Sequence, residues 1–133
     1  MARLTQAIER AEQALSSLQA VISIPEPSEI VRDAAIQRFE FTFEAIWKTG
    51  RHFLREVEGI DDNSPKSVIR SCRQAGIFDD MEAHHALEMA DDRNLTSHTY
   101  DRDLALQIYN RLDQHSLLLA AWLKRIKEKS AAE

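Results

Sequence analysis

Apolar residues recur in alternating steps of three and four along most of this chain, the spacing that lines one face of an α-helix. Leu4, Ile8, Ala11, Leu15, Leu18 and Ile22 make the first stripe. It ends at "PEPS" (25–28), because proline cannot continue a helix and restrains the residue before it. Ile36, Phe39, Phe43, Ile46, Gly50, Phe53 and Val57 make a second stripe and predict a helix from about Ser28 to Glu58, roughly 45 Å long at ~1.5 Å per residue. Gly50 lies inside that stripe, where a missing side chain costs helix stability. A close crossing by another helix would account for it. Phe41 falls on the opposite side, in line with Ala34, Ala45, Lys48 and His52. A helix that is partly apolar on its second face points to contact with another subunit.

"GIDDNSP" (59–65) reads as a loop, and Ser64–Pro65 as a cap followed by proline in the first turn of a short helix. That helix runs to Ala75, with Gly76 as its stop. Asp79 and Glu82 form a capping box for a fourth helix that reaches about Leu95 or Ser97. Asp101 can cap a fifth, whose stripe is Ala105, Ile108, Leu112, His115, Leu119, Trp122 and Ile126, before a charged end, "KRIKEKSAAE". The chain has no internal repeat and no low-complexity linker. The pattern predicts a single all-α domain over residues 1–133, an up-and-down four-helix-type bundle with an extra short helix.

Composition narrows the chemistry. Three Gly and three Pro in 133 residues exclude a turn-rich β fold, and 44% hydrophobic content excludes a disordered tail. A net charge of −5 argues against a long electrostatic grip on a duplex, but leaves room for one nucleotide or a short RNA loop. Cys72 is alone, so neither an internal disulfide nor a thiolate metal site is available. No apolar run approaches the ~20 residues of a membrane span, and the charged, amphipathic N-terminus is unlike a signal peptide. A cytoplasmic location without membrane contact is expected.

Most polar groups have a plain explanation. Glu82-x-x-His85 is half of a bundle di-metal ligand set; no second half exists, so exposed helix face is the favoured reading and no metal or other cofactor is expected. His115, within an apolar stripe, reads as a core or boundary histidine satisfied by a hydrogen bond, and Cys72 as packing. Lys66, Arg70 and Arg73 read as a solvated face, and the basic residues at 124–129 as charge complementing a helix end. Trp47 borders the core. Lys48, Arg51 and Arg55 form a basic ridge near Phe41 that either lines a cleft or is solvated.

"RNLTSHTY" (93–100) is different. It sits at a helix junction, yet Arg93, His98 and Tyr100 exceed what a turn and cap require. One reading is structural: Arg93 pairs with Asp92 or Glu88, His98 caps the helix, and Tyr100 packs. The other is chemical. Histidine exchanges protons near neutral pH, and the arginine fork fits a phosphate, a minimal kit for cleaving RNA through its own 2′-hydroxyl without a metal. Arg93 and His98 are five apart, about 140° of arc on an ideal helix, so the helix must bend or end between them to bring both to one phosphate. A twofold dimer would make a larger cleft from two copies.

Arg93-Asn94-x-x-x-His98-x-Tyr100 resembles the signature of HEPN-domain proteins. Together with "RDAAIQRFEFTFEAIWK" (32–48), "SPKSVIRSCRQAGI" (64–77) and "DDRNLTSHTYD" (91–101), the chain from about Arg32 to Leu112 is similar to the HEPN branch called nucleotidyltransferase substrate-binding proteins. The resemblance implies a homodimeric helical bundle encoded beside a cognate minimal nucleotidyltransferase. In related toxin–antitoxin pairs the HEPN protein is a ribonuclease toxin. That assigns catalysis to Arg93 and His98, support to Asn94, and adenylylation by the partner to Tyr100, with Lys48, Arg51 and Asp92 as possible cleft-lining residues. The branch name implies a rival: a non-catalytic subunit that binds a nucleotide or other substrate for a two-component nucleotidyltransferase. The acidic neighbourhood of Asp91, Asp92, Asp101 and Asp103 suits such a small site. A third possibility is a dimeric adaptor.

Overall fold

The computed structural model describes residues 2–132 and contains five α-helices: α1 (Ala2–Ile22), α2 (Glu29–Phe53), α3 (Pro65–Gln74), α4 (Asp80–Leu95) and α5 (Arg102–Ala132). Each boundary has a local cause. Ser28 caps α2 by accepting from the Val31 N–H, and Ser64 caps α3 from the Ser67 N–H, with Pro65 in the first turn. The capping box at Asp79 and Glu82 is complete. Helix α3 stops at Gly76, whose φ of 83° suits glycine. The Gly76 N–H bonds the Arg73 carbonyl and the Ile77 N–H the Cys72 carbonyl, a Schellman stop. The expected helix to Glu58 changes character at Leu54, where a π-helical turn carries the chain to Gly59 at φ 69°.

Cross-helix bonds fix the topology. Ala7, Ala14 and Ser17 of α1 accept from Thr49, Thr42 and Arg38 of α2, so α1 and α2 run antiparallel. Arg125, His115 and Arg111 of α5 meet Glu82, His85 and Asp92 of α4, an antiparallel pair again. Glu29 and Phe39 of α2 face Arg102 and His115 of α5, so those two are parallel. The long helices thus alternate in direction, and short α3 packs beside α2 and α4, the expected bundle with its extra helix.

The core runs the length of α2 against α1 and α5, with Phe39, Phe43, Phe53, Leu18 and Trp122 fully buried. Gly50 occupies the expected close crossing. A Cβ there would lie 3.1 Å from Val68 Cγ1 and 3.4 Å from Trp122 Cζ2. Cys72 is packing, as expected, and burial pushes its thiol up to about 12. The basic residues near the C-terminus do more than balance a dipole. Arg125 joins Glu82 at 2.8 Å and the Ile77 carbonyl at 2.9 Å, Lys127 joins Glu12 at 3.1 Å, and Lys129 donates to the Ala75 carbonyl at 2.6 Å. They tie α5 to α1 and to the α3–α4 corner. Among the described residues, no helix is long and apolar enough to cross a membrane.

Candidate functional site

The signature residues sit where α4 tightens into a 3₁₀ turn, Thr96–His98. The tightening has a visible cause. Thr96 Oγ1 donates to the Arg93 carbonyl at 2.7 Å and to Glu40 Oε2 at 3.1 Å, and Thr99 Oγ1 donates to the Thr96 carbonyl at 3.2 Å. These local side-chain bonds compete with the helical ladder. Asp101 then caps α5 through the Asp103 and Leu104 N–H groups. The helix therefore ends between Arg93 and His98, as bringing both to one phosphate requires.

Arg93 pairs with neither Asp92 nor Glu88. It reaches across to α2, where Nε donates to Glu44 Oε1 at 2.7 Å and Nη2 lies 3.7 Å from Glu40 Oε1. The same Glu44 carboxylate accepts from Trp47 Nε1 at 3.2 Å and lies 3.7 Å from Lys48. Glu44 thus links the conspicuous α2 pair, Trp47 and Lys48, to the signature arginine. Neither Glu40 nor Glu44 is singled out by sequence spacing, because the contact joins residues 49 and more positions apart.

His98 is exposed, and Tyr100 is 83% exposed rather than packed into the fold. Their rings meet edge to face, centroids 6.1 Å apart. Asn94, in the last turn of α4, is exposed. No hydrogen bond or ion pair joins Arg93 to His98 among the described residues. The basic ridge divides: Lys48 leans to Glu44, Arg51 lies over the Trp47 ring at 5.3 Å, and Arg55 turns away to Asp61 at 2.9 Å. Lys48 and Arg51 thus border the Arg93 side of α2.

Asp92 lines a groove, but not with Arg93. It points the other way, into a groove of about 450 Å³ between α4 and α5. Arg111 grips both its oxygens at 2.7 Å, and His115 Nε2 meets Oδ2 at 2.7 Å. Burial alone would raise this carboxyl; the hydrogen bonds from His115 and Arg111, with the Arg111 charge, outweigh it and bring Asp92 down to about 2. With Asp92 ionised, the shared proton sits on His115 Nε2, and His115 Nδ1 faces His85 Nε2 at 3.0 Å. His115 is thus a core histidine, stacked on Phe39. His85 is turned inward instead of lying on an exposed face, and burial, then the neighbouring His115, holds it below the usual imidazole range. Glu82 serves its capping box and Arg125, so Glu82 and His85 are committed to different partners.

Residues 6–128 match the family described as nucleotidyltransferase substrate binding protein like. A Thermus thermophilus protein of known crystal structure is 49% identical, with a TM-score of 0.85 over 87% of this chain and 98% of its own. A Haemophilus influenzae protein described as a probable ribonuclease HepT is 30% identical over 72% of this chain and 67% of its own. A Shewanella oneidensis HEPN toxin, tri-AMPylated and in complex with an MNT antitoxin, is 15% identical and shares the fold, with a TM-score of 0.73 over 94% of this chain and 96% of its own.

Proposed function

Because the chain belongs to the nucleotidyltransferase substrate-binding-like family of HEPN proteins, we propose that it is a ribonuclease toxin working through Arg93 and His98 and silenced at Tyr100. A cognate minimal nucleotidyltransferase adenylylates that tyrosine. The observation that carries this reading is the turn itself. His98 and Tyr100 stand ring to ring in solvent just beyond a guanidinium that α2 holds in place. The Haemophilus relative's description supports the activity.

In this reading His98 removes the proton from an RNA 2′-hydroxyl. The freed oxygen attacks the adjacent phosphorus, and the bond to the 5′-oxygen of the next nucleotide breaks. His98 returns the proton to that leaving oxygen, so the products are a 2′,3′-cyclic phosphate and a 5′-hydroxyl. The Arg93 guanidinium steadies the charge on the phosphate, while Glu44 and Glu40 hold it in place. Asn94 lends a polar contact beside it. The chain supplies each of these groups itself, so no metal is called for. Two copies form a twofold dimer through the α2 face carrying Phe41, which is 56% exposed.

The rival, a non-catalytic subunit presenting a nucleotide or other substrate to the transferase, is favoured by one observation: Arg93 already faces two carboxylates. The deciding experiment is RNA cleavage by purified protein whose intact mass shows no adenylate, beside His98→Ala. We expect cleavage by the wild type and none by the variant, with the dimer unchanged. Tyr100→Phe is expected to cleave and to resist silencing. Absence of cleavage by the clean wild type would transfer the assignment to the substrate-binding subunit.

A further inference from the structure

The turn borders a second feature that cleavage leaves unused. A pocket of about 400 Å³ opens between the first turns of α2 and α5, with Thr99 and Tyr100 among its lining residues. That volume lies within the roughly 300–1,000 Å³ of small-molecule sites. Two guanidiniums enter it. Arg32 is anchored by Nη1 donating to the Pro27 carbonyl at 2.8 Å, which leaves its other nitrogens for a ligand. Arg102, its side chain 83% exposed, is joined to Glu29 by a 3.5 Å ion pair, a weak surface contact that an anion can displace. Glu29, Asp33 and Asp103 add three carboxylates, and Ala105 and Leu106 an apolar strip.

Three carboxylates against two guanidiniums repel a polyanionic strand. They suit one nucleotide. A single phosphate charge meets the arginines, ribose hydroxyls donate to carboxylates as they do in dinucleotide sites, and a base lies on Ala105 and Leu106. The geometry points to this pocket as the seat of the adenylate carried by Tyr100. The inference rests on the reading of Tyr100 as acceptor. In that transfer Tyr100 Oη bonds the α-phosphorus of ATP, the bond from that phosphorus to the β-phosphate breaks, pyrophosphate leaves, and the phenolic proton passes to a base of the transferase. The product is a phosphodiester with one negative charge. Docked against Arg32 and Arg102, it pins Tyr100 and with it the ring of His98. Silencing then comes from immobilising the proton-transfer group as well as from blocking RNA.

The test uses full-length protein adenylylated with ATP by its transferase and then freed of it. Wild type is compared with Arg102→Glu and Arg32→Ala, each checked for fold by circular dichroism. Peptide mass mapping locates the adenylate first. A phosphodiesterase then removes it while intact mass follows the rate. We expect removal to be about tenfold faster in the variants, the effect of losing a charge-assisted phosphate contact, and adenylylated Arg102→Glu to regain part of its RNA cleavage. Equal removal rates in all three proteins would overturn the pocket while leaving Tyr100 as acceptor. An adenylate found elsewhere on the chain would overturn the acceptor reading, and the pocket with it. Arg102→Glu lies on an exposed side chain, so a failure of Arg32→Ala to fold leaves the comparison intact.

Discussion

Glu44 is the residue on which the signature turns. It accepts from Arg93 and Trp47 and sits beside Lys48, so it orients a fixed cation from a neighbouring helix. A hydrogen bond between charged partners contributes roughly 1.5–3 kcal/mol. Glu44→Ala is therefore expected to lower the kcat/KM of RNA cleavage by at least about tenfold, with the far-ultraviolet spectrum unchanged; steady-state kinetics on a short RNA would check it. Asp92 offers a test by pH. Its folded pKa of about 2 lies below the ordinary carboxyl value of 3.8, so its contribution is full above about pH 4 and is lost as pH falls towards 2. The shift corresponds to about 2 kcal/mol. Asp92→Asn is expected to be less stable than wild type by about that amount at pH 7, with the gap closing by about pH 2. Urea unfolding at the two pH values measures it.

At the scale of elements, α2 does two jobs. One face carries the core, and its flank carries Glu40 and Glu44 to the signature turn. Its position against α3 and α5 depends on Gly50. Alanine would gain about 1 kcal/mol of helix propensity, but its Cβ would lie 3.1 Å from Val68 Cγ1, a fully buried neighbour that would have to shift by a few tenths of an ångström. Overpacking of this kind costs roughly 1–3 kcal/mol. We expect Gly50→Ala to be destabilised by about 1 kcal/mol in a denaturant titration. The 3₁₀ turn is the other decisive element. Thr96 draws the end of α4 towards Glu40, which leaves Arg93 facing α2 while His98 and Tyr100 face solvent.

For the whole molecule, the exposed apolar residues on α2 carry the proposed dimer. Ile30 is 81% and Phe41 56% exposed, and their spacing of eleven residues keeps them on one face of the helix. Phe41→Asp would place a carboxylate in that interface. We expect it to sediment as a monomer in analytical ultracentrifugation while melting close to the wild-type temperature. A variant that stays dimeric would move the contact to another face.

The amino-acid order was enough to place the five helices, the caps at Ser64, Asp79 and Asp101, the stop at Gly76, the glycine crossing and the signature turn, though not the π-helical turn at Leu54, because periodicity, capping and turn chemistry act over a few residues. It also carried the family, through motifs in a fixed order. It could not determine what each polar side chain faces. His115 was legible as a hydrogen-bonded core or boundary histidine, but its partners Asp92 and His85 were not, and Asp92 read as a neighbour of Arg93 when the two point to different helices. Successive residues on a helix are turned by about 100°, so adjacency in sequence separates side chains in space. Only the packing of α4 against both α2 and α5, themselves in contact, decided that Glu44 holds Arg93, that Arg111 holds Asp92, and that Tyr100 opens onto a pocket between α2 and α5.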